Sequence, residues 1–192
     1  MPQKPTATSS EQDEWILRED QLACLASATR MDIVDHLAAH GPMAVRELAP
    51  AIGMKPSAIY HHLEQLVEVG LVADTGSRTH NGKAEALYNT PSRRMRLRRA
   101  LEDPANAETM QKIVTALGRR AQRDFSQGQR HADVRAGGDA RNLGFFRLVN
   151  RMDAKRLARM NALLDEVAEL MWQEGDEDGE LVALTWVMAP LG

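Results

Sequence analysis

The sequence predicts a mainly helical α+β chain, and three observations predict it. Leu, Ala, Met and Arg are plentiful while aromatics make up only 4% of the 192 residues, a composition rich in good helix formers. Apolar residues recur at intervals of three and four through most of the chain, which is the spacing of one helical face. Between residues 71 and 89 that period gives way to two short β-type runs around Asn81-Gly82, a dipeptide suited to a tight hairpin turn.

In chain order, a first helix is expected over Trp15–Leu25. A second covers Thr29–His40, with Met31, Ile33, Val34 and Leu37 on one face and Gly41-Pro42 ending it. A third covers Val45–Ile52, with Val45, Leu48, Ala49 and Ile52 inward, and Gly53 breaks it. The fourth opens at Pro56, since proline suits the first helical position. Ile59, Leu63, Leu66 and Val67 share its inner face, and Gly70 is its stop. Strands follow over Leu71–Thr75 and Glu85–Asn89, and Pro91 closes the unit.

Beyond it the pattern predicts a short helix over Ser92–Leu101 and a long one from Pro104 to about His131. A strand over residues 143–149 (LGFFRLV), a helix over about 152–175, an acidic turn (DEDGE) and a strand over 181–188 (LVALTWVM) complete the chain. The two strands are expected to pair, so the C-terminal half reads as a long helix plus a strand-helix-strand unit. The expected division is a disordered tail over 1–14, a first domain over 15–91, and a helical or α+β domain over 92–192 for dimerisation and effector response.

Several function classes are excluded. A single cysteine, Cys24, allows no intramolecular disulfide; it reads as a small buried apolar residue in a reducing, cytoplasmic setting. No apolar run approaches the roughly 18 residues of a membrane span, so no membrane partner is expected. The polar N-terminus has no apolar signal core. No nucleophile elbow, phosphate loop or catalytic carboxylate pair is present, so neither an enzyme nor a cofactor is expected, and DEDGE lacks the twelve-residue calcium-loop pattern. The net charge of −3 is unevenly spread: residues 1–91 carry net −5, residues 92–151 net +8 and residues 152–192 net −6.

The informative spacing is Ala49, Gly53 and Ile59. Two helices that cross over a tight turn need a small residue on the first, a glycine four positions later for the unusual backbone conformation, and an apolar anchor six further on. ELAPAIGMKPSAIYHHLEQL meets all three requirements, and the hairpin over 71–89 follows as a wing. With Ala28-Thr29-Arg30 opening a helix, Gly41-Pro42, Glu47-Leu48-Ala49, Ser57 through Leu63 and Gly70-Leu71-Val72, residues 20–91 resemble the ArsR-type winged helix-turn-helix transcriptional regulators.

The resemblance implies a homodimer that binds a pseudo-palindromic operator in double-stranded DNA, with the second helix of the motif in the major groove and the wing on the backbone. It places Lys55, Ser57, Ala58, Tyr60, His61 and His62 on the groove-facing helix. Arg78, His80 and Lys83 fall on the wing, and Thr29 and Arg30 at a helix start facing phosphate. An interaction module without DNA binding is the alternative.

Some features depart from the pattern. Pro50 lies inside the first motif helix, where proline costs ~3 kcal/mol, and Lys55 stands where a Ser or Asp cap would normally be. That helix also lacks the cysteine pair common in metal-sensing relatives. His36 and His40, with Asp32 and Asp35 near, have acceptable ligand spacing but fall short of a tetrahedral set; adjacent His61 and His62 point about 100° apart. No metal site is therefore expected, a metal-responsive repressor being a further alternative. Five arginines within residues 93–99 suit either flanking phosphates or a solvated face. Met110, Met152, Met160, Met171, Met188, Trp172 and Trp186 read either as the lining for an apolar small-molecule effector or as ordinary core.

Overall fold

Two helices of the chain end in the same way, and that shared ending sets the N-terminal geometry. The computed structural model describes residues 14–175 and 179–191. Helix α3 (Val45–Ala51) stops where Gly53 takes φ +70°, with the Gly53 N–H donating to Pro50 O at 3.1 Å and Met54 N–H to Ala49 O at 2.8 Å. Helix α4 (Pro56–Glu68) stops where Gly70 takes φ +72°, with Gly70 N–H donating to Val67 O at 3.0 Å and Leu71 N–H to Leu66 O at 2.9 Å. Both are Schellman endings, and both use glycine because a Cβ disfavours this backbone. The first turns the chain from α3 into α4; the second aims it into the hairpin.

Around these lie α1 (Glu19–Leu25) and α2 (Ala28–His40). The hairpin is β3 (Ala73–His80) with β4 (Lys83–Asn89), closed by Asn81 and Gly82 at φ +48° and +75°, a pair of positive values that a type I′ turn requires. Strand β2 (Met43–Ala44) pairs antiparallel to β4, Met43 opposite Tyr88, giving the sheet order β2-β4-β3. A bulge lies between Asp74 and Gly76: Thr75 is extra, Gly76 takes φ +123°, and its N–H donates to Asp74 Oδ1 at 2.9 Å. The two short strands predicted from the sequence are thus longer, and they meet at the predicted turn.

Pro50 is accommodated because α3 ends one residue later. Gly53 and Met54 bond past it, so the helix is shortened rather than kinked.

The core of this unit is one cluster. Leu22 and Leu25 enter from α1, Ile33 and Leu37 from α2, Leu48 and Ala49 from α3, and Ile59, Leu63 and Leu66 from α4. Leu71 and Val72 close it. The chain divides into two compact units, one ending at Arg119 and the other starting at Arg120. Residues 92–119, grouped from sequence with the C-terminal half, pack with the first unit: Ala100, and Met110, Ile113 and Ala116 of α5 (Ala107–Gly128), belong to its core.

Three corrections follow. The first helix starts at Glu19 rather than Trp15, because Glu14–Trp15 forms β1, parallel to β5 (Met95–Arg96), with Ile16 N–H donating to Arg96 O at 2.9 Å. For the same reason Ser92–Leu101 is not a helix: it supplies β5, then a 3₁₀ turn over Arg98–Glu102. The strand-helix-strand unit does not form. Helix α6 (Ala154–Trp172) is present, but residues 143–149 and 181–188 are unpaired irregular chain, with Phe145 85% and Phe146 84% exposed. A continuous apolar run lacks the alternation that selects a strand, and a strand without a ladder leaves its backbone groups unpaired. The α+β class holds, with all strands in the first unit among the described residues. Of the tail expected over 1–14, residues 1–13 lie outside the described residues, and Glu14 is in β1.

Gly70→Ala is expected to destabilise the first unit by ~1–2 kcal/mol. No atom lies within 4 Å of the added Cβ, so the cost is conformational. Urea denaturation followed by circular dichroism checks it; an unchanged midpoint would show that the helix stop does not depend on glycine.

Candidate nucleic-acid interface

The sequence PSAIYHHLEQL divides α4 by its own periodicity. Ile59, Leu63 and Leu66 are spaced for one face and are at most 1% exposed. The opposite face therefore carries Ser57, Ala58, Tyr60 and His61 into solvent, with Tyr60 51% exposed. Lys55 is the N-cap and is exposed; Pro56 is the first helical residue, as predicted.

His62 behaves differently. It is half-buried, its Nδ1 is shielded from solvent without a hydrogen-bond partner, and its ring lies 5.9 Å from that of His61. Burial, then the nearby charge of Arg30 and His61, holds its pKa below the ordinary value. His62 thus sits at the flank of the exposed face.

The other proposed positions divide in two. On the wing, His80 and Lys83 face each other across the turn; Lys83 is exposed, and His80 Nε2 lies 3.2 Å from Asn81 Nδ2. Lys55 and Lys83 make no ion pair among the described residues, so both are available to an anion. Arg78, in contrast, pairs with Glu47 Oε2 at 2.5 Å and approaches Glu85 at 3.9 Å. Arg30 is used inside the fold: Nε donates to Cys24 O at 2.6 Å and Nη1 to Gln65 Oε1 at 2.6 Å, joining the end of α1 to α4. Thr29 is half-buried in the first turn of α2.

A four-residue charge network was not anticipated from sequence. Glu47 accepts from the Ala44 N–H at 3.1 Å, capping α3, while also pairing with Arg78 of the wing; Arg46 pairs with Glu85 of β4 at 3.2 Å. Arg78, chiefly by hydrogen bonding, holds the Glu47 carboxyl below the usual carboxylate range. Together these pairs tie the first motif helix to the wing. A glutamate three residues into a helix was the available signal, as half of a capping box.

Neither histidine pair is arranged as a metal centre. The His36 and His40 rings stack at 5.6 Å, and His40 Nδ1 lies 2.9 Å from His36 O. Among the described residues, no three His, Cys, Asp or Glu side chains are grouped to hold a metal. Cys24 is buried, as expected, and burial raises its thiol pKa. The arginines of residues 93–99 lie on extended chain and a 3₁₀ turn, and each makes an intramolecular interaction. The methionine and tryptophan set is divided between the two units. Met110 is buried in the first unit, while Met152, Met171, Met188 and Trp186 are exposed in the second. A cleft of about 390 Å³ between Leu101, Pro104, Ala107 and Val114 includes only Met110 from that set.

A model of the helix-turn-helix domain family matches residues 25–75, the span from the end of α1 into β3. The HTH-type transcriptional regulator NmtR of Mycobacterium tuberculosis is 41% identical over 69 residues, 36% of this chain. The N-terminal half carries a helix-turn-helix domain similar to that of this regulator. The chain spans 55% of the length of NmtR.

Two solved structures are also similar. One is the homodimeric winged helix-turn-helix DNA-binding domain of Mb0332 from Mycobacterium bovis, described as a possible ArsR-family regulator. It is 22% identical, covers 56% of this chain and 80% of its own, and has a TM-score of 0.30. The other is a MarR family transcriptional regulator from Silicibacter pomeroyi, 17% identical over 73% of this chain and 69% of its own, with a TM-score of 0.28. No helix among the described residues is long and apolar enough to cross a membrane.

His62 makes a pH dependence testable. Its folded pKa lies below the unfolded value, so the unfolded state takes up the proton first as pH falls. Stability is therefore full above the unfolded value of about 6.5 and declines as pH drops through it. His62→Gln is expected to flatten the fall in melting temperature between about pH 7 and 5. An unaltered slope would show that the ring titrates equally in both states.

Proposed function

We propose that this chain is a cytoplasmic, sequence-specific double-stranded DNA-binding transcriptional regulator that acts as a dimer. In this reading α4 enters the major groove and the β3–β4 wing lies along the backbone. The observation that carries it is the exposed face of Lys55, Ser57, Ala58, Tyr60 and His61 on a helix whose opposite face is fully anchored. Such a helix presents hydrogen-bonding groups and a methyl at fixed positions, which base readout requires. Lys83 and His80 supply the wing's backbone contacts. Arg78 joins them by exchanging Glu47 for phosphate. Thr29, Arg30 and His62 act at one remove, through the placement of α2 and α4. In a dimer, two such helices about 34 Å apart would match successive major grooves of a pseudo-palindromic operator.

The second reading is an interaction module without DNA binding. It is favoured by the net charge of −5 on residues 1–91 and by the internal pairing of Arg30 and Arg78. Selection of bound sequences from random duplexes separates the two. An enriched palindrome with salt-dependent affinity supports the regulator; no enrichment with salt-insensitive retention supports the module.

Within the regulator reading, Tyr60→Ala or His61→Ala is expected to cost ~1–3 kcal/mol of discrimination between operator and non-operator duplexes. Lys83→Ala is expected to weaken both alike and to lower the salt slope by about one. Fluorescence anisotropy titrations across a salt series measure both. If the two patterns are exchanged, the helix and wing assignments are wrong. Addition of zinc or nickel is expected to leave the affinity unchanged; a shift would revive the metal-responsive reading.

A further inference from the structure

Helix α6 carries a regular apolar seam that the described residues leave unburied. Leu157, Met160, Leu164, Val167 and Met171 follow one another at intervals of 3, 4, 3 and 4, the heptad repeat that two supercoiled helices require, and Leu163 and Leu170 lie beside it. Yet no residue of α6 is buried, and Leu170 is 65% exposed. A face of this length, about 21 Å along the axis, is costly to leave in water.

The charges of α6 identify what covers that face. Lys155, Arg156 and Arg159 occupy the first two turns, and Asp165, Glu166 and Glu169 lie in the second half. The first helical turn has no acidic residue and the last no basic one, so apart from the Asp153 cap this order opposes the helix dipole. In a lone helix this order is unfavourable to the dipole. A helix laid antiparallel against a copy of itself gains twice, since each basic half then meets an acidic half.

We propose that α6 is a self-association surface that pairs antiparallel with α6 of a second copy of this chain. Centred near Ala162, the pairing stacks Leu157 on Val167 and Met160 on Leu164 of the other copy. It also sets Lys155 and Arg159 beside the other copy's Glu169 and Asp165. Such an interface is isologous and closes at two chains. The contact that Arg159 makes with Glu166 of its own helix, 3.5 Å with both side chains about two-thirds exposed, is weak enough to be replaced. The proposal shares only the dimer with the regulator reading and names the element that forms it.

Sedimentation equilibrium of the full chain without DNA tests it. The wild type is expected to be a dimer. Leu164→Glu is expected to weaken association about a hundredfold, because a charge at the seam goes unpaired, with helical content unchanged by circular dichroism. A triple change of Lys155, Arg156 and Arg159 to Glu, and a separate one of Asp165, Glu166 and Glu169 to Lys, are each expected to be monomeric and to associate when mixed.

For orientation, Met160→Cys mixed with Leu164→Cys is expected to oxidise mainly to the mixed disulfide, Cys24 being buried. A monomeric wild type, or a Leu164→Glu variant with unchanged association, overturns the proposal. So do like-with-like disulfides, which would report a parallel pair. Because the readout contains no DNA, it fails or succeeds separately from the duplex selection.

Discussion

The burial of Ile59, Leu63 and Leu66 is the constraint on which the N-terminal unit depends. These three side chains fix the rotation of α4 about its own axis, and that rotation alone decides that Tyr60 and His61 face outward. Truncating any of them would cost ~2–5 kcal/mol, a large part of the stability of a small domain. Ala49 matters for the same reason: its small side chain, fully buried, lets α4 lie close over α3. Gly53 and Gly70 then set the entry and exit of α4. Arg30 and Gln21 hold its distal end, Arg30 through Gln65 and Gln21 through its 3.1 Å donation to Val69 O.

The winged unit was largely legible because each of its signals is local. A proline at a helix start, glycines at two helix stops, and Asn-Gly at a hairpin each act through their own φ angles. The alternation of buried and exposed positions along α4 followed from period alone. What sequence reading missed was non-local. The parallel pairing of β1 with β5 joins residues some 80 apart and converts the flanks of two expected helices into strands. The network of Arg46, Glu47, Arg78 and Glu85 likewise joins side chains whose meeting depends on the sheet register.

The candidate site was legible in outline and less so in detail. Exposure at Lys55, Ser57, Ala58, Tyr60, His61 and Lys83 follows from helical and hairpin period. The inward engagement of Arg30 does not, because an arginine at a helix start gives no sign of which carbonyl it will reach. In the second unit, apolar runs over 143–149 and 181–188 resembled strands by composition. Composition records that a segment has apolar surface to bury and leaves open which chain buries it.

The pairing of Glu47 with Arg78 has a consequence for how the wing would meet a polyanion. An arginine already holding a carboxylate releases no condensed counterion of its own until that carboxylate is displaced. A phosphate that captures Arg78 therefore exchanges one anion for another and leaves Glu47 facing the duplex. The first motif helix loses one of its links to the wing in the same event, and Arg46 still holds Glu85. Arg78 would then act less as an adhesive cation than as a latch: engaging the backbone would loosen the wing's hold on α3, so that its seating on DNA and its freedom to move change together.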